Sequence, residues 1–139
     1  MRFFKVLCII FLVALQSCGL DKPTENEIIG DWYNKDGSEI FLKKNGKFYG
    51  KNLSVYAFYL NDTIDKFNGS GKWVMLEKNG KWIVDLDFKE KSIYKDKIVS
   101  INSKLFINGD GFFGTKRPLH MYLQVGDPDQ DNRYEFKKK

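Results

Sequence analysis

Three aspartates on alternate positions, Asp127, Asp129 and Asp131, stand in Gln124-Val125-Gly126-Asp127-Pro128-Asp129-Gln130-Asp131-Asn132-Arg133-Tyr134-Glu135-Phe136. Alternating carboxylates open a calcium loop, which also needs glycine at its sixth position and glutamate at its twelfth. Those positions hold Asn132 and Lys138. Pro128 also fixes φ where a ligating loop must curl. Asp127-Pro128-Asp129-Gln130 instead has proline at the second position of a type I turn, with aspartate before it. The stretch reads as a hairpin connection between strands at 120–125 and 133–136, and neither a metal nor another cofactor is expected.

Other chemistry-bearing residues are few. Asp85 and Asp87 share one face of a strand, roughly 7 Å apart by strand rise, so a glycosidase-like pair is geometrically conceivable. Solvation of an outer face explains them equally well. The single histidine, His120, lies between Leu119 and Met121 on an expected strand. A nucleophile needs a base near it, and the chain has no Gly-x-Ser-x-Gly elbow, His-Glu-x-x-His helix or phosphate loop. The chain is therefore expected not to be an enzyme.

The N-terminus carries the clearest chemistry. Arg2 and Lys5 precede the apolar run Val6-Leu7-Cys8-Ile9-Ile10-Phe11-Leu12-Val13-Ala14, and Leu15-Gln16-Ser17-Cys18 follows. A cationic start, a short apolar stretch and a small residue before a cut make a secretory signal. The run is too short to span a bilayer, which takes about 20 residues.

Leu15-Gln16-Ser17-Cys18 resembles the lipobox of bacterial lipoproteins. The resemblance implies cleavage after Ser17 and diacylation of the Cys18 thiol, anchoring the chain to a membrane. Residues 1–17 are then the signal peptide, 18–27 a polar lipidated tether and 28–139 a single domain. Cys8 leaves with the signal and Cys18 is acylated, so no disulfide is expected. Cleavage also removes Arg2 and Lys5, two of the five net positive charges.

The elements of the domain follow from its punctuation. Lys35-Asp36-Gly37-Ser38, Lys44-Asn45-Gly46-Lys47 and Lys78-Asn79-Gly80-Lys81 place Asp-Gly or Asn-Gly between apolar runs, as two-residue type I′ turns require. Between turns the runs alternate. Trp82, Val84, Leu86 and Phe88 take one face while Asp85 and Asp87 take the other. About nine or ten strands are expected, arranged all-β as an antiparallel up-and-down barrel or strongly curved sheet.

Residues 52–67 are ambiguous. Leu53, Tyr56, Leu60, Ile64 and Phe67 recur at helical spacing, but Val55-Tyr56-Ala57-Phe58-Tyr59-Leu60 is aromatic and β-branched, which favours a strand followed by a polar loop at 61–70.

Aromatic residues make up 16% of the chain. They could fill a small barrel, line a ligand cavity or form an interface. The loop Asn108-Gly109-Asp110-Gly111-Phe112-Phe113-Gly114-Thr115-Lys116-Arg117-Pro118 is the candidate ligand-binding element, with one of Phe112 and Phe113 expected to be exposed. Charge is scattered, which argues against nucleic acid.

Gly30-Asp31-Trp32 is similar to the Gly-x-Trp opening the first strand of lipocalins and fatty-acid-binding proteins, and Arg133 lies on the last strand. The resemblance implies that Arg133 packs over Trp32 and closes one end of the barrel. More broadly, the chain resembles small Bacteroidetes-type lipoproteins with a lipocalin-like β domain. Together these readings imply a lipid-anchored, non-catalytic protein of the bacterial envelope, on the periplasmic or outer face of the outer membrane, binding a small apolar ligand or an envelope protein. The alternative is an inhibitor or immunity lipoprotein directed against a toxin or a wall-degrading enzyme.

Overall fold

The computed structural model describes residues 19–59, 63–94, 97–98 and 101–139, without the side chains of 89–94, 97–98 and Pro128. The expected signal peptide and Cys18 lie outside these residues. Among the described residues a short helix α1 (Glu25–Ile28) precedes strands β1 (Gly30–Tyr33), β2 (Glu39–Leu42) and β3 (Lys47–Ser54). A second short helix, α2 (Val55–Tyr59), leads to β4 (Lys66–Lys78), β5 (Lys81–Tyr94) and the two-residue β6 (Lys97–Ile98). Then come β7 (Ile101–Asp110), β8 (Lys116–Gln124) and β9 (Arg133–Lys138).

Each main strand pairs antiparallel with its neighbours in the order β4-β3-β2-β1-β9-β8-β7-β5, and β4 pairs with β5. The result is a closed, up-and-down, eight-stranded barrel, with β6 a short addition to β5. Closure leaves the eight strands no long unpaired edge, which removes the main aggregation hazard of a sheet.

Inward-facing side chains fill it. Ile40, Leu53, Val84, Leu86, Phe88, Leu105, Met121 and Phe136 are 0% exposed. A cavity able to hold water would leave accessible surface on such residues, so the interior around them is packed solid. Eight strands give a bore just wide enough for side chains to fill. Phe48 sets its edge on Phe88 at 4.8 Å, and Phe58 meets both Phe67 and Phe88 at 5.8 Å.

Helices close the ends. The α1 end carries a capping box between Thr24 and Glu27, and Ile28 is fully buried. At the other end, the expected strand at 55–60 is instead α2. One helical turn points both Val55 and Phe58 into the barrel mouth, whereas a strand would have pushed alternate residues into water with its backbone unpaired. Ser54 Oγ accepts from the Ala57 N–H at 3.3 Å and starts the turn. The following strand begins at Lys66, inside the stretch expected to be loop.

Turn chemistry divides the three hairpin signals. Asn79 and Gly80 both have positive φ, 53° and 72°, as a type I′ turn requires. At the other two turns only Gly37 and Gly46 do. There the Gly37 N–H donates to Asn34 O at 3.1 Å and the Gly46 N–H to Lys43 O at 3.1 Å. These are type I turns closed by a glycine bulge, the three-residue solution.

Candidate functional site

Because connections in a meander alternate between ends, α1, the turns at 43–46 and 79–80, the loop at 111–115 and the last residue of the chain share one end, here the α1 end. The turn at 34–38, α2 and the loop at 125–132 share the other.

At the α1 end, Trp32 is 1% exposed and its Nε1 donates to Ile28 O at 2.8 Å. The cation over its ring is Lys138, with Nζ 5.9 Å from the centroid. Lys138 also donates to Asn26 O at 3.0 Å and Glu27 O at 2.8 Å, tying α1 to the last strand. Burial lowers the affinity of this ammonium for its proton, and the nearby Glu27 charge opposes that. Arg133 does not reach Trp32. The closing register pairs Trp32 with Lys138, five residues further on, which puts Arg133 roughly 16 Å away along the strand. Arg133 lies 4.6 Å over the ring of Tyr122 and pairs with Asp131 at 2.6 Å.

No family model, curated protein or solved structure matches this chain. What its surface can do rests on its own geometry.

Phe112 and Phe113 are 97% and 67% exposed and meet edge to face at 5.1 Å. Both rings are therefore presented, not one. Their loop is a closed turn: the Gly114 N–H donates to Gly111 O at 2.9 Å and the Gly109 N–H to Gly114 O at 2.7 Å. Neither ring packs against the core.

The segment expected to be a tether is docked for most of its length. Pro23 is buried, Leu20 packs on the core, and Lys22 Nζ lies 5.9 Å over the Trp82 ring. With Lys44, Trp73 and Met75, residues 22–25 line an open concavity of about 500 Å³. Glu27 pairs with Arg117 at 2.6 Å, and the Arg117 hydrogen bond, helped by Thr24, lowers the Glu27 carboxyl to about 2.

The opposite end carries a polar cluster. Asp36 accepts from Lys66 Nζ at 2.6 Å and from the Tyr134 hydroxyl, while Ser38 Oγ contacts Asn52 O and Tyr134 Oη. Burial pushes the Asp36 carboxyl up, but the hydrogen bonds from Lys66, Tyr134 and Ser38 outweigh it and hold it below its ordinary value. Burial, then the Asp36 hydrogen bond, pushes the Tyr134 phenol up. Ser38 is 0% exposed, so no substrate reaches its hydroxyl. The cluster binds the first turn, the end of β3, the start of β4 and β9 together.

Two sequence candidates remain. His120 faces outward with Nε2 2.7 Å from Asp110 and Nδ1 3.4 Å from Glu135. The first distance is a hydrogen bond; the second is an ion-pair distance only. Among the described residues no hydroxyl or thiol is seen bonded to His120. Asp85 and Asp87 line a shallow outer concavity with Lys47 and Lys72, and Lys72 stands opposite Asp87 in register. Opposite charges across strands are ordinary sheet stabilisation. In the loop at 125–132, the Asp127 carboxylate accepts from the Asp129 N–H at 3.0 Å and the Gln130 N–H donates to Asp127 O at 3.1 Å. That is the proline turn the sequence indicates.

Proposed function

We propose that this chain is a lipid-anchored, non-catalytic binding module of a bacterial envelope, attached to the outer membrane through an acylated Cys18. It engages an envelope protein with its outer surface and does not enclose a small apolar ligand. The packed interior carries this reading: a ligand in the bore would have to displace side chains that already fill it, at a cost of several kcal/mol. The buried, hydrogen-bonded Ser38 and the carboxylate-flanked His120 support the non-catalytic part. The packed interior also favours the inhibitor or immunity reading over the small-ligand one, because a rigid barrel that binds from outside suits a protein target.

The test has two arms. Mass spectrometry of the mature protein should give a chain beginning at an acylated Cys18, and Cys18→Ala should leave the precursor uncleaved. Tryptophan emission should stay flat across a panel of fatty acids, bile acids and haem. A saturable shift with any of them would overturn binding from outside.

A further inference from the structure

We propose that the α1 end of the barrel lies on the bilayer, with Phe112 and Phe113 inserted among the lipids and the surrounding lysines on anionic headgroups. This rests on the anchored reading and assigns the exposed aromatic pair to lipid.

Position is the first argument. The described chain begins at Gly19, one residue after the cysteine expected to be acylated, and it is already docked at Lys22 and Pro23. Few residues remain to act as a spacer, and each extends the reach by no more than about 3.6 Å. The acyl chains therefore hold this end, and not the α2 end, close to the membrane. The same end carries Phe112 and Phe113.

The second argument is the surface chemistry. Scattered exposed hydrophobics are ordinary, and at the other end Ile64 and the half-exposed Tyr56 edge a concavity that they share with Asp36 and Lys66. Two adjacent rings in contact with each other at the tip of a turn whose backbone is closed by hydrogen bonds are a different case. Around them the connections are cationic: Lys43, Lys44 and Lys47 at one turn, Lys78 and Lys81 at the next, Lys116 and Arg117 after the loop. The acids at this end are Asp21, Glu25, Glu27, Asp31, Glu77 and Asp110, fewer than the cations, and Glu27 is taken up by Arg117 and Asp110 by His120. At the far end the loop at 125–132 carries Asp127, Asp129 and Asp131, and of the cations with described side chains at the connections there Lys66 is taken up by Asp36 and Arg133 by Asp131, which leaves Lys35. Cations beside an anchor are drawn to anionic lipid, so the charge distribution orients the barrel the same way as the anchor does.

Full chains carrying Phe112→Trp, and separately Tyr56→Trp on α2, are expressed and matured. Each is reconstituted into vesicles of equal phosphatidylcholine and phosphatidylglycerol, with brominated acyl chains as quencher. The expected result is blue-shifted emission and quenching in excess of the unsubstituted protein for Phe112→Trp, and no excess for Tyr56→Trp. Excess quenching should weaken when phosphatidylglycerol is omitted. A water-like, unquenched signal from residue 112 in vesicles that retain the protein overturns the proposal and leaves the pair to a protein partner. Mass analysis separates the two readings. If the chain proves unacylated, the anchor reading fails by itself. The unacylated Phe112→Trp chain mixed with the same vesicles must still show the excess, or the insertion proposal fails too.

Discussion

Lys138 Nζ stands 5.9 Å over the ring of its cross-strand partner Trp32, at the seam where the last strand meets the first. The same ammonium donates to two α1 carbonyls, so one side chain joins the barrel seam to the helix that plugs it. Trp32→Phe removes the Nε1 hydrogen bond to Ile28 O and should cost about 1–3 kcal/mol. Lys138→Met keeps the aliphatic cover but removes the charge and both hydrogen bonds, for about 1 kcal/mol. Urea unfolding at unchanged m-value reads both. A neutral Lys138→Met would mean that solvent already satisfies the α1 carbonyls.

Arg133→Ala should be mild, because its guanidinium is half in water over Tyr122. A loss of roughly 0.5–1 kcal/mol is expected for an exposed cation–π contact. A loss as large as that of Trp32→Phe would contradict the assignment of the seam to Lys138.

Gly71 tests how tightly β4 crosses β5. A Cβ there would lie 1.9 Å from Asp87 O, a backbone atom that no side-chain rotation can clear. Gly71→Ala should cost about 3 kcal/mol or more and lower the yield of folded protein. Gly37→Ala has open space around it but a φ of 88°, so about 1–2 kcal/mol of backbone strain is expected. Thermal midpoints of the two variants should rank in that order.

In acid the barrel should loosen through Glu27 and Asp36. Both carboxyls sit below their ordinary values when folded, Glu27 at about 2 through the Arg117 hydrogen bond first. A depressed folded pKa contributes stability above the unfolded value, and that contribution is lost as pH falls through the folded one. The denaturation midpoint should therefore decline from about pH 5 downward, less steeply in Glu27→Gln and less steeply in high salt.

In alkali the sign reverses for the phenols. Burial holds Tyr59 up at about 12, and burial with the Asp36 hydrogen bond raises Tyr134 as well. A raised folded pKa contributes stability fully below the unfolded value near 10, and it is lost as pH rises through the folded one. Stability should fall above about pH 10, with delayed phenolate absorbance, and Tyr134→Phe should shrink both effects. Phenolate appearing at the ordinary pH would show that the hydroxyl is open to water.

The barrel was legible because its evidence is local. Alternation along 82–88 and a turn dipeptide every few residues leave little room for anything but an antiparallel meander, and Asp127-Pro128-Asp129-Gln130 carries its own turn instructions. Aspartate or asparagine before glycine marks the hairpins at 36–37, 45–46 and 79–80 alike. Which turn forms depends on register, since only the Asn79-Gly80 hairpin joins directly opposed residues without a bulge.

Other features were set by partners far away in sequence. Val55–Tyr59 has strand composition, yet the barrel mouth needed a plug, and one helical turn buries Val55, Ala57 and Phe58 together. Nothing local tells Arg133 from Lys138 as the cation over Trp32; the seam register between residues about a hundred positions apart decides it. Whether inward aromatics fill a barrel or line a cavity is equally invisible in a list of residues, because it depends on how eight rows of side chains interlock. The sequence by itself determined the antiparallel meander and the places of its hairpins, which follow from short-range pattern. Only the tertiary structure decided the filled bore, the cation at the seam and the exposure of both Phe112 and Phe113, because packing and register are properties of strands brought together.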